Sequence, residues 1–328
     1  MPVQLLDENS VVAYLKSRNI FSDSADVAVE ILTGGVSNVV LAVSGEGRDL
    51  VVKQALPELK VAQKWSADQR RAIVEANALQ VYQEITPENV PALVECDPER
   101  FVVILQRAPR SVTNWKEDML AGKILPAVAG DVGEILGKWH KNTSAPLILD
   151  QFQEDTLFEQ LRISPFYRAI ALRHQSINRR ISSLIDELEN NKTALVHGDY
   201  SPKNILVSSS NVPIILDFEV AHAGNPVFDL GFLLGHLLTK SEYVGTLTAK
   251  TKIAQSAYSF LQRYEQSLGR PASPTFTWHV AAISLARVDG VSPVSYLNPE
   301  MQSNLRNTCL GILQSEDPPS LTEVFSEL

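Results

Sequence analysis

The stretch His197-Gly198-Asp199-Tyr200-Ser201-Pro202-Lys203-Asn204-Ile205-Leu206 sets a carboxylate five residues ahead of an amide. A second acid, Asp217, follows eighteen residues after the first, at the end of the next apolar run. Transfer of a phosphoryl group from a nucleotide needs this set of parts. One carboxylate orients an attacking hydroxyl and accepts its proton. A second carboxylate and an amide oxygen suit Mg²⁺, which prefers hard oxygen ligands and takes few of them from protein.

These residues need elements to hold them. Ile205-Leu206-Val207 and Pro213-Ile214-Ile215-Leu216 read as short strands joined by the polar turn Ser208-Ser209-Ser210-Asn211. In the first third, Ile31-Leu32-Thr33 leads into Gly34-Gly35-Val36-Ser37-Asn38. The runs Val39 to Val43 and Leu50-Val51-Val52-Lys53 follow, parted by a Gly-containing turn, which predicts an antiparallel hairpin. Ser66-Ala67-Asp68-Gln69 fits a capping box and predicts a helix from Ser66 to about Glu84. A second hairpin pairs Ala92 to Cys96 with Phe101 to Gln106, so the order is β-β-α-β-β. Beyond Ala108 the apolar spacing turns helical over Lys123 to Lys141, Phe166 to Glu189, Lys250 to Gly269 and Thr275 to Arg287. The change of character falls near residues 106–110.

The segment around Asp199 resembles the catalytic loop of the protein-kinase-like superfamily, H-x-D-x-x-x-x-N followed by D-F-x. His-Gly-Asp and Asp217-Phe218-Glu219 look most like the aminoglycoside phosphotransferase family of small-molecule kinases. Asp229 stands where that family has a buried structural aspartate. The resemblance implies an α+β, bilobal protein-kinase-like fold. Residues 1–106 would form a small antiparallel β-sheet lobe that binds nucleotide, and residues 107–328 a mainly helical lobe with the catalytic loop and acceptor site. ATP would lie in the cleft with Mg²⁺. Gly34, Gly35, Ser37 and Asn38 match the G-G-x-S-N loop that wraps phosphates with backbone amides. Lys53 would hold the α/β-phosphates, fixed by Glu75, and the backbone near Gln106 and Ala108 would meet the adenine edge. Asn204 and Asp217 would hold the metal, and Asp199 would act as base, leaving His197 to brace the loop.

The chain departs from the family pattern at Ser201 and Lys203. Lys203, beside Asn204, would neutralise charge on the transferring phosphoryl group or stand as a solvated loop residue. Arg287 and Asp289 would reach the acceptor or form an ordinary cap and salt bridge. The acidic stretch 150–159 would favour a cationic acceptor if it faced the cleft, and would otherwise be a solvated face. His140, His174, His222, His236 and His279 lack metal spacing, and Trp115, Trp139 and Trp278 read as core.

Asp229 follows Asp217 by only twelve positions, too few for an activation segment, so a small-molecule hydroxyl acceptor is expected rather than a protein. The alternative from another class is a nucleotide-binding regulatory pseudokinase without turnover; the intact Asp199, Asn204, Asp217 and Lys53 argue against it. The chain has 328 residues, 45% hydrophobic and 20% charged, and a formal charge of −9, which disfavours nucleic acid and acidic membranes as partners. Cys96 and Cys309 form no metal or disulfide pattern, no signal-like amino terminus is present, and no apolar run reaches about 20 residues. A cytoplasmic protein is expected; its oligomeric state is open.

Overall fold

The computed structural model describes residues 4–32, 37–58 and 67–326. The chain divides into two units. The first comprises Met1–Arg110 with Asp217–Glu219, and the second Ser111–Leu216 with Val220–Leu328.

The first unit is built on a five-stranded antiparallel sheet in the order β1-β2-β3-β5-β4. Its strands are β1 (Ala28–Ile31), β2 (Asn38–Gly45), β3 (Arg48–Ala55), β4 (Leu93–Asp97) and β5 (Val102–Gln106). Gly45 pairs with Arg48 across Glu46-Gly47, both at positive φ (49° and 74°), the two-residue turn whose twist matches that of the strands. Alternation sends Leu41, Val43, Leu50, Val52, Val102 and Ile104 to one face, where they pack with Val11, Tyr14 and Leu15 of helix α1 (Val11–Ser17). Both predicted hairpins are present. The β-β-α-β-β order omits α1 and β1: α1 spans only two turns, and β1 is an edge strand whose residues are mostly exposed.

Helix α2 (Arg71–Ile85) begins five residues later than the capping box implied. Ser66 lies outside the described residues, and Gln69 does not turn back on the helix: its Nε2 donates to Ala55 O at the end of β3. Asp68 instead accepts from Arg70 N at 2.9 Å, so residues 68–70 form a turn that precedes the helix.

The second unit is mainly helical. It contains β6 (Thr113–Asn114), α3 (Trp115–Leu120), α4 (Pro126–Asn142), α5 (Pro146–Leu149), α6 (Thr156–Phe158), α7 (Ala169–Arg173) and α8 (Asn178–Asn190). Then come β7 (Ala194–Val196), β8 (Ile205–Val207), β9 (Pro213–Ile215), β10 (His222–Gly224), α9 (Val227–Tyr243), α10 (Leu247–Leu268), α11 (Phe276–Asp289), α12 (Pro299–Gln314) and α13 (Leu321–Ser326). The helix expected over Phe166 to Glu189 is broken. A π-helix covers Glu159–Arg168, α7 follows, the chain turns at His174, and α8 resumes at Asn178. Pro165 lies within the π segment, where its missing N–H disrupts the regular ladder that the apolar period suggested.

Helices α4 and α10 approach closely because α4 carries Gly133 at their contact: a Cβ there would stand 2.1 Å from Phe260 O. Helix α9 is buried at every residue from Val227 to Glu242, with α10 and α11 against it. It contains the apolar stretch around Leu230 to Leu238. No described helix is long and apolar enough to cross a membrane. Strands β6-β8-β9 form one small antiparallel sheet and β7-β10 another. Together these ribbons carry the segment from His197 to Asp217.

Candidate active site

In the second unit the chain leaves β7 through His197 and Gly198. Gly198 adopts φ +74°, and a Cβ there would meet Val220 O at 2.5 Å, so only glycine fits this turn. The buried Asp229, in the first turn of α9, grips the turn from below. Its Oδ2 accepts from His197 N at 2.7 Å and from His140 Nε2 at 3.2 Å, and its Oδ1 accepts from Gly198 N at 2.9 Å. Burial works against the Asp229 charge, but these donors and the neighbouring histidines hold its carboxyl below the usual range. His197 is inaccessible to solvent. Its Nδ1 accepts from Asp199 N at 3.1 Å and its Nε2 donates to Leu216 O at 3.1 Å, so both ring nitrogens are committed to holding backbone.

Asp199, 3% exposed, is fixed at both oxygens. Oδ1 lies 3.0 Å from Arg162 Nη2, while Oδ2 takes Lys203 Nζ at 2.9 Å and Asn204 Nδ2 at 2.8 Å. Arg162 comes from the π-helix and also donates Nε to Gly198 O at 2.6 Å. Asn204 spends its NH₂ on Asp199, and no described group donates to its Oδ1, which leaves that hard oxygen for a cation. Asn114, the N-cap of α3, donates to Lys203 O at 2.7 Å and ties the loop to β6. Lys203 is 53% exposed, so it is both a solvated residue and a partner of Asp199.

The first unit gathers a second constellation. Lys53 Nζ lies 2.6 Å from Glu75 Oε1 and 3.2 Å from Asp217 Oδ1, joining β3, α2 and the Asp217–Glu219 segment. Asp217 adopts φ +72°, uncommon for a residue with a side chain. Glu219 accepts from Asn38 Nδ2 at 3.1 Å and from the Ser37 hydroxyl, and Arg71 Nε lies 3.3 Å away, within ion-pair reach but outside hydrogen-bonding alignment. Arg71 is fully buried, and its guanidinium donates to the carbonyls of Ser37, Leu56, Ala67 and Asp68. Burial disfavours the Lys53 charge, but the surrounding carboxylates more than offset it and raise its pKa. Burial pushes Glu75 up to about 7 against the pull of Lys53, with Asp217 and Glu219 adding to the rise. Three carboxylates around Lys53 and Arg71 leave an excess of negative charge at Asp217, which suits a divalent cation.

The remaining sequence-derived residues fall as follows. Gly34 and Gly35 lie outside the described residues. Ser37 and Asn38, read as phosphate-wrapping residues, direct their side chains to Glu219. Gln106 donates its N–H to Ala92 O at 2.8 Å as part of the sheet, so a contact from it to an adenine edge would run through its carbonyl. Arg107 N is likewise spent on Asp49 O, which makes Ala108 the first residue past β5 whose N–H no described group claims. The acidic stretch 150–159 is largely solvated, with Asp155 paired to Lys192 and Glu159 to Arg168. Asp289 accepts from Arg306 at 2.7 and 2.8 Å and from His174 at 2.8 Å, the salt-bridge reading, whereas Arg287 has no such partner among the described residues. Trp115, Trp139 and Trp278 are buried. Sequence reading missed Arg162 and passed over Arg71 and the partners of Glu219; a fully buried arginine in a helix has no local sequence signature.

A strand lysine clasped by a helix glutamate and a D-F-x acid, with a braced H-x-D-x-x-x-x-N loop, is the residue set expected of the protein-kinase-like fold. Residues 28–264 match the model of the phosphotransferase enzyme family, and the chain belongs to that family. A methylthioribose kinase from Bacillus mycoides (strain KBAB4) is 27% identical over 262 residues, which cover 71% of this chain and 66% of that kinase. The methylthioribose kinase of Bacillus cereus (strain AH820) is 28% identical with the same coverage, so the match spans just under two thirds of the length of these relatives. Among solved structures, an amicoumacin kinase shares the fold at a TM-score of 0.59 and 14% identity, covering 97% of each chain. A choline/ethanolamine kinase family protein from Mesorhizobium loti does so at 0.53 and 16% identity, covering 97% of this chain and 90% of that one.

Proposed function

We propose that the protein is an ATP-dependent small-molecule kinase that moves the γ-phosphate to a hydroxyl of a metabolite or antibiotic. The observation that carries this reading is Asp199: a buried carboxylate held at both oxygens, with an amide beside it whose own oxygen is left open. Asp199 orients the acceptor hydroxyl and accepts its proton as the oxygen attacks phosphorus. Arg162 and Lys203 keep the carboxylate aimed, and Lys203 adds positive charge beside the transferring group. Lys53, fixed by Glu75, binds the α/β-phosphates, and the backbone N–H of Ala108 meets the adenine. Asn204 Oδ1 and the Asp217 carboxylate would hold Mg²⁺, which supplies charge neutralisation on the phosphates when bound. An ATP-using enzyme with two free cysteines, Cys96 and Cys309, fits a reducing cytoplasm.

The test is ADP release by the purified protein over a panel of sugars, amino alcohols and aminoglycosides, with Asp199→Asn as the control. Turnover on at least one acceptor is expected, falling about 10²-fold or more in the variant, with thermal stability retained. Full turnover in Asp199→Asn overturns the base assignment. ATP binding without turnover on any acceptor returns the regulatory pseudokinase reading.

A further inference from the structure

In the second unit, contacts lead from Asp199 to two cations, Lys240 and Arg287, that no acid among the described residues pairs with. Arg162, which holds Asp199, has its guanidinium 5.4 Å from the Phe232 ring of α9. Phe232 touches His236 (5.1 Å between ring centroids) and Phe166 (5.5 Å). The Arg287 guanidinium of α11 lies 5.8 Å from the Phe166 ring. Lys240, one turn beyond His236 on α9, has its ammonium 5.9 Å from the Tyr296 ring.

Lys240 is 2% exposed, and its Nζ has one hydrogen bond, a long one of 3.5 Å to His236 O in its own helix. Arg287 Nε and the Tyr296 hydroxyl are shielded from solvent, and neither has a hydrogen-bond partner. The nearby carboxylates are engaged elsewhere. Asp199 takes Arg162 and Lys203, Glu117 takes Lys116 at 2.9 Å, Asp289 takes Arg306 and His174, and Glu242 takes Asn304. Among the described residues no acid pairs with Lys240 or Arg287. An unpaired buried cation is strongly unfavourable, and two orphaned polar groups, Arg287 Nε and the Tyr296 hydroxyl, beside a buried lysine with one long hydrogen bond form a site that lacks its ligand. Burial, with Arg287 and Lys116 adding to it and Glu117 opposing, lowers Lys240 to about 7, and an arriving negative charge would restore its proton.

We infer that the acceptor carries, apart from its reacting hydroxyl, a compact anionic group, a carboxylate or a phosphate ester, that binds Lys240 and Arg287 with the Tyr296 hydroxyl as a further donor. This rests on the kinase reading above and narrows its substrate class. The guanidinium offers the planar fork that matches both anions, while the ammonium acts as a point charge. The same charges repel cationic acceptors such as choline or aminoglycosides, so selectivity has a repulsive as well as an attractive part.

The full-length protein is assayed for ADP release on matched acceptors: ribonate and ribose 5-phosphate, neutral ribitol, and cationic choline and kanamycin. The preferred anionic acceptor should exceed ribitol at least about tenfold in kcat/KM, equivalent to about 1.4 kcal/mol. In Lys240→Met and Arg287→Met the ratio should fall to about one, while Lys240→Arg keeps most of it. A second readout needs no turnover: inorganic phosphate or acetate, against chloride at equal ionic strength, should raise the melting temperature of the wild type and do so less in both methionine variants. Preference between the two anions in both readouts separates a carboxylate from a phosphate ligand. If ribitol or kanamycin turns over best and the variants keep the wild-type pattern, the anion site is wrong and the kinase reading stands. If no acceptor turns over yet the anion protection depends on Lys240 and Arg287, the site stands and the kinase reading falls. Absence of both effects overturns the site.

Discussion

Replacing Asp229 by alanine removes the acceptor for three N–H groups at once, those of His197, Gly198 and His140 Nε2, at 2.7, 2.9 and 3.2 Å. The carboxylate is fully buried, so no water reaches the vacated donors in the unrelaxed structure. Breaking a buried, hydrogen-bonded charge costs about 3–5 kcal/mol. For a unit of this size each kcal/mol moves the melting temperature by about 2–4 °C, so a fall of about 6–20 °C is expected. Asp229→Asn should lose less, since one oxygen still accepts while the NH₂ faces a donor. Activity should suffer more than stability alone explains. The turn that Asp229 grips leads directly to Asp199, and an error of about 1 Å in such a group costs about 10²-fold in rate. The assay pairs calorimetry with kcat measured well below the variant's melting temperature. The KM for ATP should change little, because Lys53, Glu75 and Asp217 are held by other residues. A melting temperature within about 2 °C of wild type together with unchanged kcat would refute the bracing role.

Lys53→Met should lower kcat/KM for ATP by about 10²-fold by removing the phosphate-binding charge; unchanged kinetics at limiting ATP would detach Lys53 from the nucleotide. Lys203→Ala should reduce kcat about tenfold while costing less than about 1 kcal/mol of stability, since its ion pair is half-exposed; wild-type kcat would leave it a surface residue. His222 is buried against Phe158, with ring centroids 4.0 Å apart, and donates to Val220 O. Burial pulls its pKa from 6.5 down to about 4. Between those values the unfolded chain binds a proton that the folded chain refuses, so stability is full above pH 6.5 and is lost as pH falls toward 4. Urea unfolding should show about 2 kcal/mol less stability at pH 5 than at pH 7.5 from this group, and His222→Phe should remove that part of the slope; an identical slope in the variant would exclude His222 as its source.

Motif and period made much of this protein legible from residues alone. The spacing of Asp199, Asn204 and Asp217 needs no tertiary information, and both hairpins are written in short apolar runs with turn residues between them. Arg162 was hidden because its link to Asp199 depends on a π-helix around Pro165, where a regular 3.6-residue period misleads. The start of α2 was misjudged because Gln69 satisfies Ala55 O in a distant strand. Gln106 reads as part of the hinge backbone, but which of its backbone groups is already in use depends on the sheet, where its N–H goes to Ala92 O. The burial of Lys240 was hidden because α9 is buried at every residue from Val227 to Glu242, whereas a lysine near the end of a mostly apolar run reads as its boundary.

The placement of Asp217, Phe218 and Glu219 in the first unit, while Leu216 and Val220 belong to the second, has a consequence for dissecting the protein. A fragment ending at Arg110 would leave Lys53 without Asp217, Arg71 and Asn38 without Glu219, and Tyr82 without its ring contact at 5.4 Å to Phe218. No single cut at that junction yields the first unit with its own charges intact. Truncation or domain grafting at that junction separates the sheet from the three residues that complete it.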